Sequence, residues 1–339
     1  MPADPLPHVD ERLAGLRLHI VTGKGGTGKT TVAAALALAL AAGGRRTLLC
    51  EVEDRQGIAR LFDVPALPYT ERKVAAAPDG GELFALAVEP RAALMDYLET
   101  FYTLGKRAGR VLDKIGAVDF ATTIAPGLRD VLLIGKVYEA VRRRRKDRFV
   151  YDAVVLDAPP TGRITRFLNV NSEVSGLARV GPIRNQADSI MRLLKSTATA
   201  VHVVTLLEEM PVQETADGVA ELTAAGLPVG AVVINQARDE LLPARALVAA
   251  GKGRLDGDPV REGLVAAGLL KPSAAGTRMV EGLLNEAAEH SERLELQRAE
   301  RANLEALGLP LLELPLLASG VDVASLYELA ALLREQGVS

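Results

Sequence analysis

The sequence predicts an α/β protein: a doubly wound, mostly parallel sheet with a helical subdomain inserted in it. Three observations predict this. Short apolar runs bounded by turn residues recur along the chain, as strands buried on both faces require. Helical stretches follow several of them, and strand–helix–strand order implies parallel pairing. Glycines punctuate the joins, most densely between Gly23 and Gly28.

Taken in order, Leu16 to Thr22 reads as a buried strand that ends in the glycine-rich turn. Thr30 to Ala42 reads as an alanine-rich helix stopped by Gly43 and Gly44, and Thr47 to Cys50 as the next strand. Further strands are expected at Ala153–Leu156, Ala200–Thr205, Val229–Ile234 and Leu311–Leu314, with a helix over Pro211–Ala225. A long polar helix, Thr277 to Leu307, leads back to the last of these strands. Two stretches break the alternation. Helical spacing of apolar residues in about 90–147 and 172–198 reads as the inserted subdomain, on one side of the sheet. Residues 1–15 read as a flexible tail and 16–339 as one domain.

Composition narrows the class. Of 339 residues 48% are hydrophobic, enough to bury a core and exclude disorder. Forty basic against forty-three acidic residues leave a formal charge of −3, without the basic bias of a nucleic-acid binder. The longest apolar run, Val32 to Ala42, falls short of the ~20 residues that span a bilayer. A lone cysteine, Cys50, allows neither an internal disulfide nor a CxxC metal clip, and its predicted buried strand makes it an inert apolar residue. The expectation is a soluble, cytoplasmic protein. The basic run Arg142–Lys146 reads as a solvated helix end.

Gly23, Lys24, Gly25, Gly26, Thr27, Gly28, Lys29 and Thr30, followed by Thr31, fit the phosphate-loop pattern G-x-x-x-x-G-K-[ST] at every fixed position. Glycines let successive backbone N–H groups turn inward around phosphates, at the positive end of the helix that begins near Thr30. Lys29 is placed to reach the β- and γ-phosphates of ATP, and the Thr30 hydroxyl to ligate Mg²⁺. The acid that ends the strand Tyr151–Asp157 is a second candidate for the metal.

With Lys24 near the start of the loop, Gly-Lys-Gly-Gly-Thr-Gly-Lys-Thr-Thr resembles the deviant phosphate-loop ATPases. In that family the first lysine acts on the partner's nucleotide, so the resemblance implies a nucleotide-sandwich dimer. Asp157-Ala158-Pro159-Pro160-Thr161-Gly162-Arg163 is similar to the D-x-A-P-T-G-H switch of the arsenite-pump (ArsA) and tail-anchored-protein-targeting ATPases. Asp157, Pro160, Thr161, Gly162 and the later Arg166 match; Pro159 and Arg163 depart. Ala125-Pro126-Gly127, Asn235-Gln236 and Leu314-Pro315-Leu316-Leu317 also match that branch. By this resemblance Asn235 reads the adenine edge, and the Pro315 loop flanks the base.

The branch's first switch resembles S-T-D-P-A-H after the second strand; here the segment is Glu51-Val52-Glu53-Asp54-Arg55-Gln56. Glu53 takes the catalytic position, with Asp54 in reserve. A glutamate is one methylene longer, and a misplacement of about an ångström costs on the order of 10²-fold, so slow hydrolysis is expected. Arsenite activation and a zinc staple are disfavoured, because the cysteines for them are absent. The resemblance implies a homodimer, or a heterodimer with a paralogous ATPase. It also implies a hydrophobic membrane-protein client, with transient membrane association. Candidate client-groove residues are Met95, Leu98, Phe101, Tyr102, Leu104, Met191 and Leu194. The alternative is an ATP-driven assembly scaffold, weakly hydrolytic by itself.

Overall fold

β1 (Leu18–Gly23) is buried at every position and delivers the chain into the glycine-rich turn. α1 (Lys29–Ala41) leads away from the turn and β2 (Arg46–Glu51) returns. α2 (Gly57–Leu61) precedes a hairpin of β3 (Arg72–Ala77) and β4 (Gly81–Ala87). Next come α3 (Pro90–Tyr102), α4 (Pro126–Arg142), a small ladder of β5 (Arg144–Arg145) with β6 (Arg148–Phe149), and β7 (Ala153–Asp157). α5 (Thr161–Leu168), α6 (Pro182–Leu194), β8 (Thr199–Thr205), α7 (Glu209–Ala224) and β9 (Val229–Ala237) follow. α8 (Ala244–Gly251), α9 (Gly257–Ala266) and the long α10 (Ala274–Glu305) lead to β10 (Leu311–Pro315) and α11 (Val323–Glu335). This computed structural model describes residues 13, 15–52, 56–102, 126–169, 182–271, 274–318 and 320–338.

Eight strands form one sheet in the order β10-β9-β8-β1-β7-β2-β4-β3. Every neighbouring pair is parallel except β3–β4. The chain winds from β1 toward β2 and later crosses to β8 on the other side. β1 therefore lies at the switch point, where ligands of such sheets bind beyond the strands' carboxyl ends. The expected strands are present, with ends shifted by at most three residues. The β3–β4 hairpin and the helices α8 and α9 were not anticipated. β3 is a half-exposed, alanine-rich edge strand, and α9 buries none of its residues, so neither carries a strong apolar period.

Each face of the sheet has its own core. On one, α1, α2 and α11 pack with Leu13, Val21, Leu49 and Val155. On the other, α3, α4, α5 and α6 pack against Ile20, Leu48 and Leu156, sharing one continuous core with the sheet. α7 and the end of α10 cover Val232 and Ile234 of β9. α1 is buried continuously from Val32 to Ala41, because the sheet takes one side of it and α11 another. Its far end meets β4 closely. A Cβ on Gly81 would lie 1.9 Å from the Ala41 carbonyl oxygen, so only glycine fits there. No described helix is long and apolar enough to cross a membrane.

Candidate nucleotide site

The glycine-rich turn lies between β1 and α1, where the strand stops being buried on both faces. Gly28 adopts a left-handed conformation (φ 83°) immediately before α1, and a Cβ there would lie 2.3 Å from Asn235 Nδ2. Glycine is therefore required twice over, by conformation and by space. Thr27 is buried, and its hydroxyl donates to the Lys24 carbonyl at 2.9 Å, closing the loop on itself. Lys29 Nζ donates to the same carbonyl at 3.2 Å. Gly25 and Gly26 are exposed at the tip, and Thr31 is half-buried in the first turn of α1.

Thr30 and Asp157 are brought together across 127 residues: Thr30 Oγ1 donates to Asp157 Oδ2 at 2.7 Å. The carboxylate ends β7, directly beside β1, and is 8% exposed. The segment beyond it is stitched to β1 twice. Ala158 N donates to the Val21 carbonyl at 2.9 Å, and the Thr22 hydroxyl donates to the Pro159 carbonyl at 2.7 Å. Pro160 then caps α5, which starts at Thr161, with Gly162 exposed in its first turn.

Asn235 lies on β9, and its Nδ2 donates to the Thr27 carbonyl at 2.8 Å. That bond ties β9 to the glycine-rich turn and leaves Oδ1 as the amide's other polar atom. Pro315 ends β10 opposite Ala237, and the next residue, Leu316, donates its N–H to the Ala237 carbonyl at 2.8 Å. The two segments thus stand side by side at the carboxyl edge of the sheet. Lys24 Nζ pairs with Glu214 Oε1 of α7 at 2.6 Å. Glu53 and Asp54 lie outside the described residues, as does Leu104.

Three residues at this edge were given no role by sequence reasoning. Gln236 has a positive φ of 55°, and its Nε2 would lie 3.8 Å from a Cβ on Gly28. Glu214 is the partner of Lys24. Glu51, the last residue of β2, is 3% exposed, and its Oε1 accepts a hydrogen bond from Gly57 N at 2.9 Å. A charged residue ending a buried strand was the available signal for Glu51; Gln236 was marked only by its place in the Asn235-Gln236 match, and nothing local marks Glu214. Cys50, next to Glu51, is 1% exposed, and burial pushes its thiol well above the usual range, as its inert reading expects.

The arrangement suits a nucleotide with a hard divalent cation. A hydroxyl and a carboxylate oxygen converge at the start of a helix whose preceding turn contains several glycines. Comparison with known proteins identifies the family. Residues 16–197 match the model of the anion-transporting ATPase family. The ATPase BagA of Mycobacterium tuberculosis is 54% identical over 328 residues, covering 96% of this chain and 95% of that protein. An ATPase GET3 of Rhodotorula glutinis is 30% identical over 185 residues, covering 52% of this chain and 49% of its own. A putative arsenical pump-driving ATPase of Chlorobaculum tepidum is 24% identical over 264 residues, covering 66% of this chain and 62% of its own. With a family model spanning more than half of the sequence and the mycobacterial relative matching along nearly all of it, the chain belongs to the anion-transporting ATPase family and is an ATPase.

Proposed function

We propose that the chain is a Mg²⁺-dependent ATPase that works as a nucleotide-sandwich dimer and couples its ATP state to a hydrophobic or membrane-protein client. The observation that carries this reading is the 2.7 Å contact of Thr30 with Asp157 at the end of the glycine turn. These oxygens fit Mg²⁺, which prefers hard oxygen ligands and keeps several waters. When bound, the ion supplies neutralisation of phosphate charge. The chain's own residues do the rest. Backbone N–H groups from Gly23 to Thr31 bind the phosphates, and Lys29 swings from the Lys24 carbonyl onto them. Glu53 orients the attacking water, Lys24 reaches into the partner's site, and Asn235 with Pro315 flanks the base.

Transition-state stabilisation by a cation supplied in trans is worth about 10³–10⁵ in rate. Turnover per chain is therefore expected to rise with chain concentration, and Lys24→Ala to lower it by on the order of 10³. Steady-state phosphate release across a concentration series checks both. Tight ATP binding with flat, near-zero turnover at every concentration would instead place the activity in a complex with a paralogous chain.

One observation favours the second reading, an assembly scaffold without a membrane client. Met191 and Leu194 are buried in the core and Met95 packs against it. The cavity of about 1060 Å³ between α3, α4 and α6 presents more apolar than polar surface, but it carries the charged side chains of Asp96, Lys136 and Glu139, which an apolar helix would have to desolvate. Binding of an apolar helical peptide that depends on ATP separates the two. Such binding supports the client reading, and its absence at saturating nucleotide supports the scaffold.

A further inference from the structure

Glu51 is a buried carboxylate with half of its hydrogen-bonding capacity unused. Its Oε1 is satisfied by Gly57 N, but Oε2 is shielded from solvent and has no hydrogen-bond partner among the described residues. An ionised group left so is costly unless a cation completes it. Its position faces the proposed metal site. Glu51 pairs in register with Asp157 on the adjacent parallel strand, so the two side chains leave the same face of the sheet at the same level. The Cβ position of Gly57 serves as a ruler: it lies 3.7 Å from Glu51 Oε1, 3.8 Å from Thr30 Oγ1 and 3.1 Å from Thr30 Cγ2. Glu51 Oε1 and the Thr30 hydroxyl, itself bonded to Asp157, thus both line the space beside Gly57.

We infer that Glu51 is a second carboxylate of the magnesium site, acting with Asp157 on the ion's water shell while its other oxygen ties the end of β2 to the N-terminus of α2. In the related switch pattern a serine aligns with this position, so the extra negative charge belongs to this chain. The inference rests on the proposed Mg·ATP site. The same carboxylate then has two jobs: metal affinity, and holding residue 57 beside the phosphate loop.

Titration calorimetry of ADP binding, with Mg²⁺ varied and with EDTA, tests it without relying on turnover. Glu51→Gln keeps an acceptor for Gly57 N and removes the charge. Loss of an outer partner of a metal site costs about 10–100-fold. The expected result is a Mg²⁺ requirement raised at least tenfold, with ADP affinity in EDTA unchanged. Glu51→Ser, a smaller residue that the related pattern carries here, should shift the Mg²⁺ requirement in the same direction, so failure of one variant to fold does not end the test. If both folded variants keep the wild-type Mg²⁺ requirement, Glu51 is a structural clamp only and the inference falls. If the wild-type chain shows no Mg²⁺ effect on ADP binding, the proposed metal site falls first and takes the inference with it.

Discussion

Asn235 is among the best-defined of the polar residues around the phosphate loop. It is 5% exposed, it reaches across 208 residues to the Thr27 carbonyl, and it fills the space that a side chain on Gly28 would need. Replacing it removes one hydrogen bond and leaves the carbonyl of a buried threonine without that donor. Leaving a buried polar group unsatisfied costs about 1–3 kcal/mol. Asn235→Ala is therefore expected to lower stability by about that amount in denaturant melts and to weaken nucleotide binding several-fold in calorimetry. An unchanged melt would mean that the bond is replaced by water. Legibility at this scale divides sharply. Residues 23–31 and Asp157 announce themselves, because their chemistry is written in local order: glycines before a lysine and a hydroxyl, an acid closing an apolar strand. Glu51, Glu214 and Gln236 do not, because each matters through a neighbour distant in sequence that only strand register and helix placement bring close.

At the scale of elements, β1 and β8 share an arrangement that composition hides. His19 and His202 are both 1% exposed, with Nδ1 of the first 3.1 Å from Nε2 of the second and rings stacked 5.3 Å apart. One ring donates and the other accepts across this contact, which is lost only if both are protonated, while the remaining nitrogens, His19 Nε2 and His202 Nδ1, are buried with no partner among the described residues. Burial holds both below the usual 6.5, His202 down to about 4, and His19 further depressed by its neighbour. The unfolded chain therefore takes up protons that the folded chain refuses as pH drops below 6.5. The pair's contribution to stability is complete above that pH and is lost progressively as pH falls toward 4. Chemical denaturation at pH 7.5 and 5 should show a lower midpoint at pH 5. The loss should be smaller in a variant carrying apolar residues at both positions. The strands bearing these histidines were readable from their apolar runs. The β3–β4 hairpin was not, since its pairing is antiparallel at an exposed edge and its alanines match either period.

For the whole molecule, the resemblance assigns Lys24 to the partner's nucleotide, yet within the chain it is held by Glu214 on α7. The pair is part-exposed, 32% and 39%, and such pairs are worth about 0–1 kcal/mol. That is enough to bias the lysine toward its own chain but not to lock it. Glu214→Gln should accordingly raise turnover at low chain concentration, by at most about fivefold, and leave the plateau at high concentration unchanged. A lower plateau would show that Glu214 serves the assembled state instead. This bias was invisible beforehand, because it depends on where the β8–β9 crossover lays its helix.

The close contact between Gly81 and Ala41 has a mechanical consequence. α1 is seated against the start of β4 at one end and carries the glycine-rich turn at the other. A push on the loop is met by the sheet itself, so the loop behaves as an anvil and not as a spring. Displacement of the glycine turn along α1 would therefore have to move the start of β4 at Gly81 with it.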